Sequence, residues 1–275
     1  MHALKAMNPL SINAYICPED MPVETLFPLA VAAGATAVGL TIRAIDEIDS
    51  HKLRSLLNDH GLAVSSLNSA GYFLYQDAAT MNIQHARNQR LVNLAADLNA
   101  HTLVVITGGL TDGNRSLDHA RSHIAEGLAD LSEQAAAVGV HLGLEPIHPA
   151  GVLNKGCINS LSQALELIKP MPNVSLTLDL FHSWWDKDLE GLAAREADKV
   201  RLVQFSNLVA LRDPADFQRD EPSNGLLDVA TMLHALAADG YQGYFEFELF
   251  ANHLRGRSPA QIIDRVATFY AGLKI

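Results

Sequence analysis

The sequence predicts a single (β/α)8 TIM barrel that takes up residues 1–275. Short β-branched or aliphatic runs alternate with longer segments of helical apolar period, as is typical of consecutive βα units. The first βα turn lacks the glycine-rich phosphate motif of an open doubly wound sheet, and no linker or compositional change divides the chain. The eight predicted strands are Leu10–Ile16, Ala37–Ile42, Leu62–Asn68, Thr102–Thr107, Val140–Glu145, Val174–Asp179, Val200–Ser206 and Gly243–Leu249.

Residues that begin or end helices stand where this alternation requires them. Ser116 is placed to cap the N-terminus of one long helix, and Ser258 precedes a proline at the start of the last helix. A helix that began at Pro22 would be interrupted by Pro28, so the first helix is predicted to start nearer Thr25 or to be kinked. Four glycines each end a helical pattern before a strand, where a left-handed cap is expected: Gly34, Gly61, Gly139 and Gly240.

Composition and charge argue against several classes of partner. The chain has 20 Lys+Arg against 31 Asp+Glu, a formal net charge of −11, and no basic cluster, which disfavours nucleic acid and anionic membranes. No targeting signal is visible, and no run approaches the ~20 apolar residues of a membrane span. The cysteines Cys17 and Cys157 lack the spacing of a disulfide framework or a zinc site, so a cytoplasmic protein is expected. The sequence leaves homo-oligomerisation open.

The longest irregular stretch, Asn207–Gly225, follows the seventh predicted strand and exceeds an ordinary βα loop in length. Because the loops after the strands of such a barrel surround its active end, this stretch is predicted to be a lid. Three basic residues on rim loops could meet a phosphate or carboxylate of a substrate: Lys155, Arg255 and Arg257.

Four successive predicted strands each deliver an oxygen donor to the active end of the barrel. These donors are Glu145, Asp179, Gln204 and Glu248. Carboxylates brought together at low dielectric repel one another, so such a cluster persists when a cation or shared protons neutralise it. Three carboxylates and one amide form a hard, oxygen-only shell, which favours Mn²⁺ or Mg²⁺ as the metal and leaves Zn²⁺ or Co²⁺ open.

Each proposed ligand could instead have a purely structural role. A strand-end carboxylate can cap the following helix, and a barrel glutamine such as Gln204 is more often a hydrogen-bonded polar residue than a ligand. Glu246 and Glu248 point the same way because side chains alternate along a strand. Glu248 is the predicted ligand because it lies nearer the carboxyl end of the strand, and Glu246 is a candidate for substrate binding.

Other candidates for substrate binding lie just beyond the proposed ligands. His148 and His182 each follow a proposed ligand by three residues and are placed to bind substrate hydroxyls or transfer protons. Trp184 and Trp185 would form an apolar wall for a small ligand, or else fill the core. Arg219 in the predicted lid could reach a substrate oxygen, although a solvated arginine is the simpler expectation there.

These residues resemble those of the xylose isomerase-like barrel superfamily, the sugar phosphate isomerase/epimerase group. The resemblance runs from Ser11–Asn13 to Glu246–Phe250, and its most specific parts are Glu145–Pro149 (Glu-Pro-Ile-His-Pro) and Asp179–Asp186 (Asp-Leu-Phe-His-Ser-Trp-Trp-Asp). Arg219–Gly225 is similar to the family's RxxPGxG lid motif, with serine at the first glycine of the motif.

The resemblance implies metal ligands at Glu145, Asp179, position 204 and Glu248, and substrate contacts at His182 and Arg219. Many members have histidine at position 204, whereas hydroxypyruvate isomerase-like and dehydroshikimate dehydratase-like branches have glutamine.

The predicted function is metal-dependent isomerisation or epimerisation of a small sugar, ketose or polyhydroxy carbonyl compound through a metal-stabilised enediolate. Glu145 and Glu248 are the predicted catalytic residues, which remove and return the proton. The nearest alternative is a lyase that dehydrates a dehydroshikimate- or inosose-like keto-polyol. A non-catalytic sugar-binding barrel is an alternative of another class, and a DNA repair endonuclease on the same fold is disfavoured by the acidic charge.

Overall fold

The structure is a computed structural model that describes residues 8–110, 116–210 and 217–273. Its strands are β1 Leu10–Asn13, β2 Ala37–Thr41, β3 Ala63–Gly71, β4 Leu103–Ile106, β5 Leu142–Leu144, β6 Val174–Asp179, β7 Val200–Phe205, β8 Asn207–Ala210, β9 Phe217–Asp220 and β10 Phe245–Phe247. Its α-helices are α1 Leu26–Ala32, α2 Ile42–Glu47, α3 Ser50–Asp59, α4 Ala78–Asp97, α5 Leu117–Ala137, α6 Leu161–Ile168, α7 Leu180–Ser183, α8 Leu192–Glu196, α9 Val229–Ala238 and α10 Pro259–Leu273.

Eight of these strands form a closed parallel barrel in the order β1-β10-β7-β6-β5-β4-β3-β2, which confirms the predicted TIM barrel. Each predicted strand overlaps one strand of this barrel. β1 ends at Asn13 instead of Ile16, and β3 continues past Asn68 to Gly71, whose N–H and carbonyl are both bonded by the Asn88 side chain. None of the described helices is long and apolar enough to cross a membrane.

The chain forms two compact units, one of Met1–Ser65, Gly191–Ala197 and Val203–Ile275 and one of Ser66–Glu190 and Asp198–Leu202. In the first unit β1 pairs with β2 and β10, and β10 pairs with β7. In the second unit β3, β4, β5 and β6 pair in sequence order. The strands of both are buried over nearly their whole length, as expected for parallel strands covered by helices.

The predicted helix boundaries are confirmed. Ser116 accepts a hydrogen bond from the backbone of His119, and Ser258 accepts one from the backbone of Gln261. α1 starts at Leu26, so Pro28 lies in its first turn, where a missing N–H costs no helical hydrogen bond. All four predicted cap glycines have positive φ: Gly34, Gly61, Gly139 and Gly240.

The prediction of an irregular stretch over Asn207–Gly225 is wrong for residues 207–210 and 217–220, which form two strands, and is confirmed for residues 221–225. β8 and β9 pair antiparallel, from Asn207 opposite Asp220 to Ala210 opposite Phe217, while residues 211–216 lie outside the described residues. The Asn207 side chain donates to the carbonyls of Pro222 and Leu227 and accepts from the Leu227 amide, which fixes the base of the hairpin.

Asp220 fastens this hairpin to the segment that follows β10. Its buried carboxylate binds Arg255 at 2.8 Å, Arg257, and the side-chain amide of Asn224 at 2.9 Å. Arg255 and Gly256 both have positive φ, with values of 51° and 78°, so the backbone bends sharply where the two arginines turn towards Asp220. One buried negative charge thus holds two positively charged side chains and one amide.

We expect Asp220→Asn to lower the free energy of unfolding by about 1–3 kcal/mol, because it removes the charge that the two arginines bind and keeps the shape of the side chain. Guanidinium unfolding followed by circular dichroism measures this. Arg265→Gln is the matched control: its side chain is 58% exposed beside Glu221, so its loss should cost less than about 1 kcal/mol. An Asp220 variant as stable as this control would contradict the anchoring role.

Candidate active site

A cluster of acidic and imidazole groups forms in the second unit where β5 and β6 end. Glu145 follows the last residue of β5, and Asp179 is the last residue of β6. His182 lies three residues later, in α7, so its ring lies beside Asp179. Glu145, Asp179 and His182 each offer a donor atom within 4.8 Å of the others, and all three side chains are buried. We call this group the Glu145 cluster.

The Glu145 cluster has the composition of a cation site. Two buried carboxylates repel each other by several kcal/mol, and a divalent cation offsets that repulsion. His182 Nε2 lies 3.8 Å from a Glu145 oxygen and 3.9 Å from Oδ2 of Asp179, distances too long for hydrogen bonds. Asp179 also caps α7, because its Oδ1 accepts a hydrogen bond from the Phe181 amide at 2.9 Å. Its other oxygen, Oδ2, is the one that faces His182, so Asp179 can cap the helix and belong to the cluster at the same time.

Each ring nitrogen of His182 lies within hydrogen-bonding distance of another polar group. The amide of His148 donates to Nδ1 at 3.4 Å, and the Lys155 Nζ lies 3.1 Å from Nε2. The structure therefore brings Lys155 to the Glu145 cluster. The sequence placed Lys155 on a rim loop but gave no sign of a contact with His182, because that contact depends on the path of the intervening loop.

His148 lies against the two tryptophans rather than inside the Glu145 cluster. Its ring stacks on Trp184 with centroids 6.3 Å apart and meets Trp185 edge-on at 5.7 Å. Burial lowers the pKa of His148, so the ring is neutral at neutral pH. The tryptophans are 37% and 38% exposed, which excludes the core-filling alternative and leaves an apolar surface open to a ligand.

A second polar group, the Glu248 cluster, forms in the first unit from Gln204, Arg219, Glu246 and Glu248. Arg219 is only 1% exposed, so the expectation of a solvated arginine is wrong. Its guanidinium binds Glu248 at 2.8 Å and Ser206 Oγ at 3.1 Å, and it lies 5.3 Å from the centre of the Phe250 ring. The β8–β9 hairpin thus carries a buried charge that pairs with a predicted catalytic carboxylate.

Glu246 and Gln204 are joined by hydrogen bonds. Glu246 accepts from Asn13 at 2.8 Å, from Gln204 at 2.9 Å and from Ser65 at 2.5 Å. These contacts favour a role for Glu246 in holding Gln204, and its predicted contact with substrate stays a prediction. Gln204 Nε2 also donates to Glu248 at 3.2 Å. The buried Oε1 of Gln204 has no hydrogen-bond partner among the described residues, as expected of an oxygen kept for an electropositive ligand.

Two of the basic rim residues are engaged elsewhere, since Arg255 and Arg257 bind Asp220. The sequence did not predict this network or the Asn13 and Ser65 contacts to Glu246. Strand alternation could have indicated that Asn13 and Ser65 face the same side as Glu246, but their pairing depends on strand register.

Comparison with known proteins identifies the family. The profile of the family described as xylose isomerase-like TIM barrel matches residues 27–271. A 3-dehydro-D-guloside 4-epimerase of Escherichia coli (strain K12) is 30% identical over 149 residues, which are 54% of this chain and 52% of that protein. A 3-dehydroshikimate dehydratase of Pseudomonas aeruginosa is 30% identical over 139 residues, which are 48% of this chain and 21% of that protein.

The matches thus cover about half of the first relative and about a fifth of the second. Among solved structures, protein SMc04130 from Sinorhizobium meliloti 1021 superposes with a TM-score of 0.86 and 27% identity, covering 96% of this chain and 98% of that one. Because the family profile spans most of the sequence, the chain belongs to the xylose isomerase-like TIM barrel family.

Proposed function

We propose that this protein is a divalent-metal-dependent isomerase or epimerase of a small sugar, ketose or polyhydroxy carbonyl compound. The observation that carries the proposal is the Glu145 cluster, in which two buried carboxylates and an imidazole converge within 4.8 Å. The relatives support the reaction class, because they are enzymes that epimerise, isomerise or dehydrate polyhydroxy carbonyl compounds. Mn²⁺ or Mg²⁺ fits the carboxylate and amide oxygens best.

The metal ligands in this proposal are Glu145, Asp179, Gln204 and Glu248. A bound divalent cation would supply Lewis-acid polarisation of the substrate carbonyl. Glu145 would take the proton from the carbon next to that carbonyl and later release it to solvent, and Glu248, protonated at that stage, would deliver a second proton to the carbon from the opposite side. Arg219, paired with Glu248 at 2.8 Å, orients that carboxyl group. His182 would donate a hydrogen bond to a substrate oxygen.

A lyase is the second candidate. The same abstraction of a proton beside a carbonyl leads to loss of water when the substrate carries a β-hydroxyl group. The similarity to a 3-dehydroshikimate dehydratase favours this candidate. The mass of the product distinguishes the two reactions, because an isomerase conserves mass and a dehydratase removes one water.

We expect Glu145→Gln and Asp179→Asn each to weaken Mn²⁺ binding by at least about a hundredfold, since losing a ligand should cost no less than losing an outer-shell partner. Calorimetric titration of Mn²⁺ into chelator-treated protein measures the affinity. Glu166→Gln, at an exposed carboxylate of the same unit, is the control and should bind as the wild type does. Unchanged affinity in both cluster variants would exclude the Glu145 cluster as the metal site, and the same titration of Glu248→Gln tests the predicted participation of Glu248.

With Mn²⁺ present, we expect the wild-type protein to exchange the hydrogen next to the carbonyl of a ketose, inosose or hydroxy-keto acid with deuterated solvent. Glu145→Gln should abolish this exchange because the base is lost. Proton NMR and mass spectrometry of the substrate panel measure exchange and product mass together. A sugar-binding barrel without catalysis would bind a member of the panel and exchange none of its hydrogens, which would overturn the proposal.

A further inference from the structure

We infer that His119 and His123, on the outer face of α5, form a second metal site that binds a transition-metal ion such as Ni²⁺ or Zn²⁺. Both imidazoles are exposed to solvent, and their Nε2 atoms lie 3.1 Å apart. Neither residue belongs to the Glu145 cluster or to the Glu248 cluster. The site would therefore bind its ion whether or not the proposed function is correct.

The helix holds the two imidazoles side by side. His119 and His123 are four residues apart in α5, so their side chains leave the same face of the helix one turn from each other. Residues on the inner face of the helix, Ala120, Ile124 and Leu128, are buried and fix the backbone that carries the pair. Only side-chain rotations are lost when an ion binds, so the entropic cost is small compared with that of ordering a loop.

The separation of the two ring nitrogens matches that of two ligands on one ion. Metal–imidazole bonds are about 2.0–2.1 Å long, so two nitrogens that meet at one ion with an angle of about 90–109° lie about 2.9–3.4 Å apart. The 3.1 Å between the Nε2 atoms of His119 and His123 falls within this range. An ion can therefore bind both nitrogens without a change in the helix backbone.

The orientation of the two rings also suits a shared ion. Their planes are 86° apart and their centroids are 4.5 Å apart. In a linear N–H···N hydrogen bond of this length the centroids would be about 5.3 Å apart, because each nitrogen lies about 1.1 Å from its ring centre. Two imidazoles on one ion would have centroids about 4.8 Å apart. The separation of the rings is thus closer to that of a shared ion than to that of a linear hydrogen bond.

Two carboxylates beside the pair favour a bound cation. Glu126 Oε2 lies 3.8 Å from Nδ1 of His123, which is too far for a hydrogen bond but close enough to favour the ring proton on that nitrogen. A proton on Nδ1 leaves the lone pair of Nε2 for the ion, as in the carboxylate–histidine pairs that orient metal ligands. Asp118 lies in the first turn of α5, where its charge offsets the positive end of the helix dipole.

The donor atoms determine which ions the pair prefers. Imidazole nitrogens suit Zn²⁺, Ni²⁺ and Cu²⁺, whereas carboxylate and water oxygens suit Mn²⁺ and Mg²⁺. Because both histidines are exposed, water can fill the other coordination positions of the ion. The pair therefore differs in its preferred ion from the site proposed at the Glu145 cluster.

Equilibrium dialysis of the chelator-treated, tag-free full chain against a series of Ni²⁺ concentrations, followed by metal analysis, tests the site. We expect the wild-type binding curve to contain a step of one ion per chain that His119→Gln and His123→Gln each shift to at least about tenfold higher Ni²⁺, since one of two ligands is lost. Glutamine is a good helix former and suits an exposed position, so both variants should fold as the wild type does. Dialysis against Mn²⁺ should give equal curves for the wild type and both variants.

His51→Gln is the matched control, because it removes an exposed helical histidine that has no histidine one turn away. Its Ni²⁺ curve should match that of the wild type. An unshifted curve for His119→Gln or His123→Gln would overturn the inference, and so would an equal shift in His51→Gln, because scattered single histidines would then explain the binding. The Glu145 cluster is unchanged in all three variants, so any ion bound there contributes equally to each curve.

Discussion

The repulsion between the carboxylates of Glu145 and Asp179 is the constraint on which the rest of this account depends. Both side chains are buried, and an ionised carboxylate without compensation is among the most costly groups to place in a protein interior. Folding nevertheless brings them together with His182. A bound ligand of opposite charge would offset the repulsion between the two carboxylates. A divalent cation is the ligand that these carboxylate and imidazole donors suit best.

The parallel strands account for the positions of these groups. Strands β5 and β6 pair in register from Leu142 opposite Val174 to Leu144 opposite Leu176, so their carboxyl ends lie side by side. The leucines of β5 and the aliphatic residues of β6 are buried, and in these two strands the carboxylates stand at the carboxyl ends. Asp179 also caps α7, and this short helix places the His182 ring beside the two carboxylates.

The Glu248 cluster shows a different way to hold a buried carboxylate. Glu248 pairs with Arg219, and the hairpin that carries Arg219 is anchored one residue later by Asp220. Positive charge therefore compensates Glu248 from within the protein, whereas the Glu145 cluster contains two carboxylates beside a single lysine. This contrast is why the Glu145 cluster, rather than the Glu248 cluster, is the observation that carries the proposed metal site.

The sequence predicted the barrel, its eight strands and the helix caps, because hydrophobic period and glycine or serine positions are local signals. It also predicted which residues stand at strand ends. It did not predict the β8–β9 hairpin, the Asp220 anchor or the contact of Lys155 with His182. Those features depend on hydrogen bonds between residues far apart in the chain, such as Gly108 with Lys155 and Arg257 with Asp220, and no local pattern specifies them.

Anomalous diffraction from crystals grown with Mn²⁺ tests the central claim most directly, because it locates the cation without reference to activity. The account predicts one strong peak at about 2.0–2.6 Å from a carboxylate oxygen of both Glu145 and Asp179. A fully loaded crystal with its peak elsewhere, or with the two carboxylates bridged by a proton and no metal between them, would contradict it.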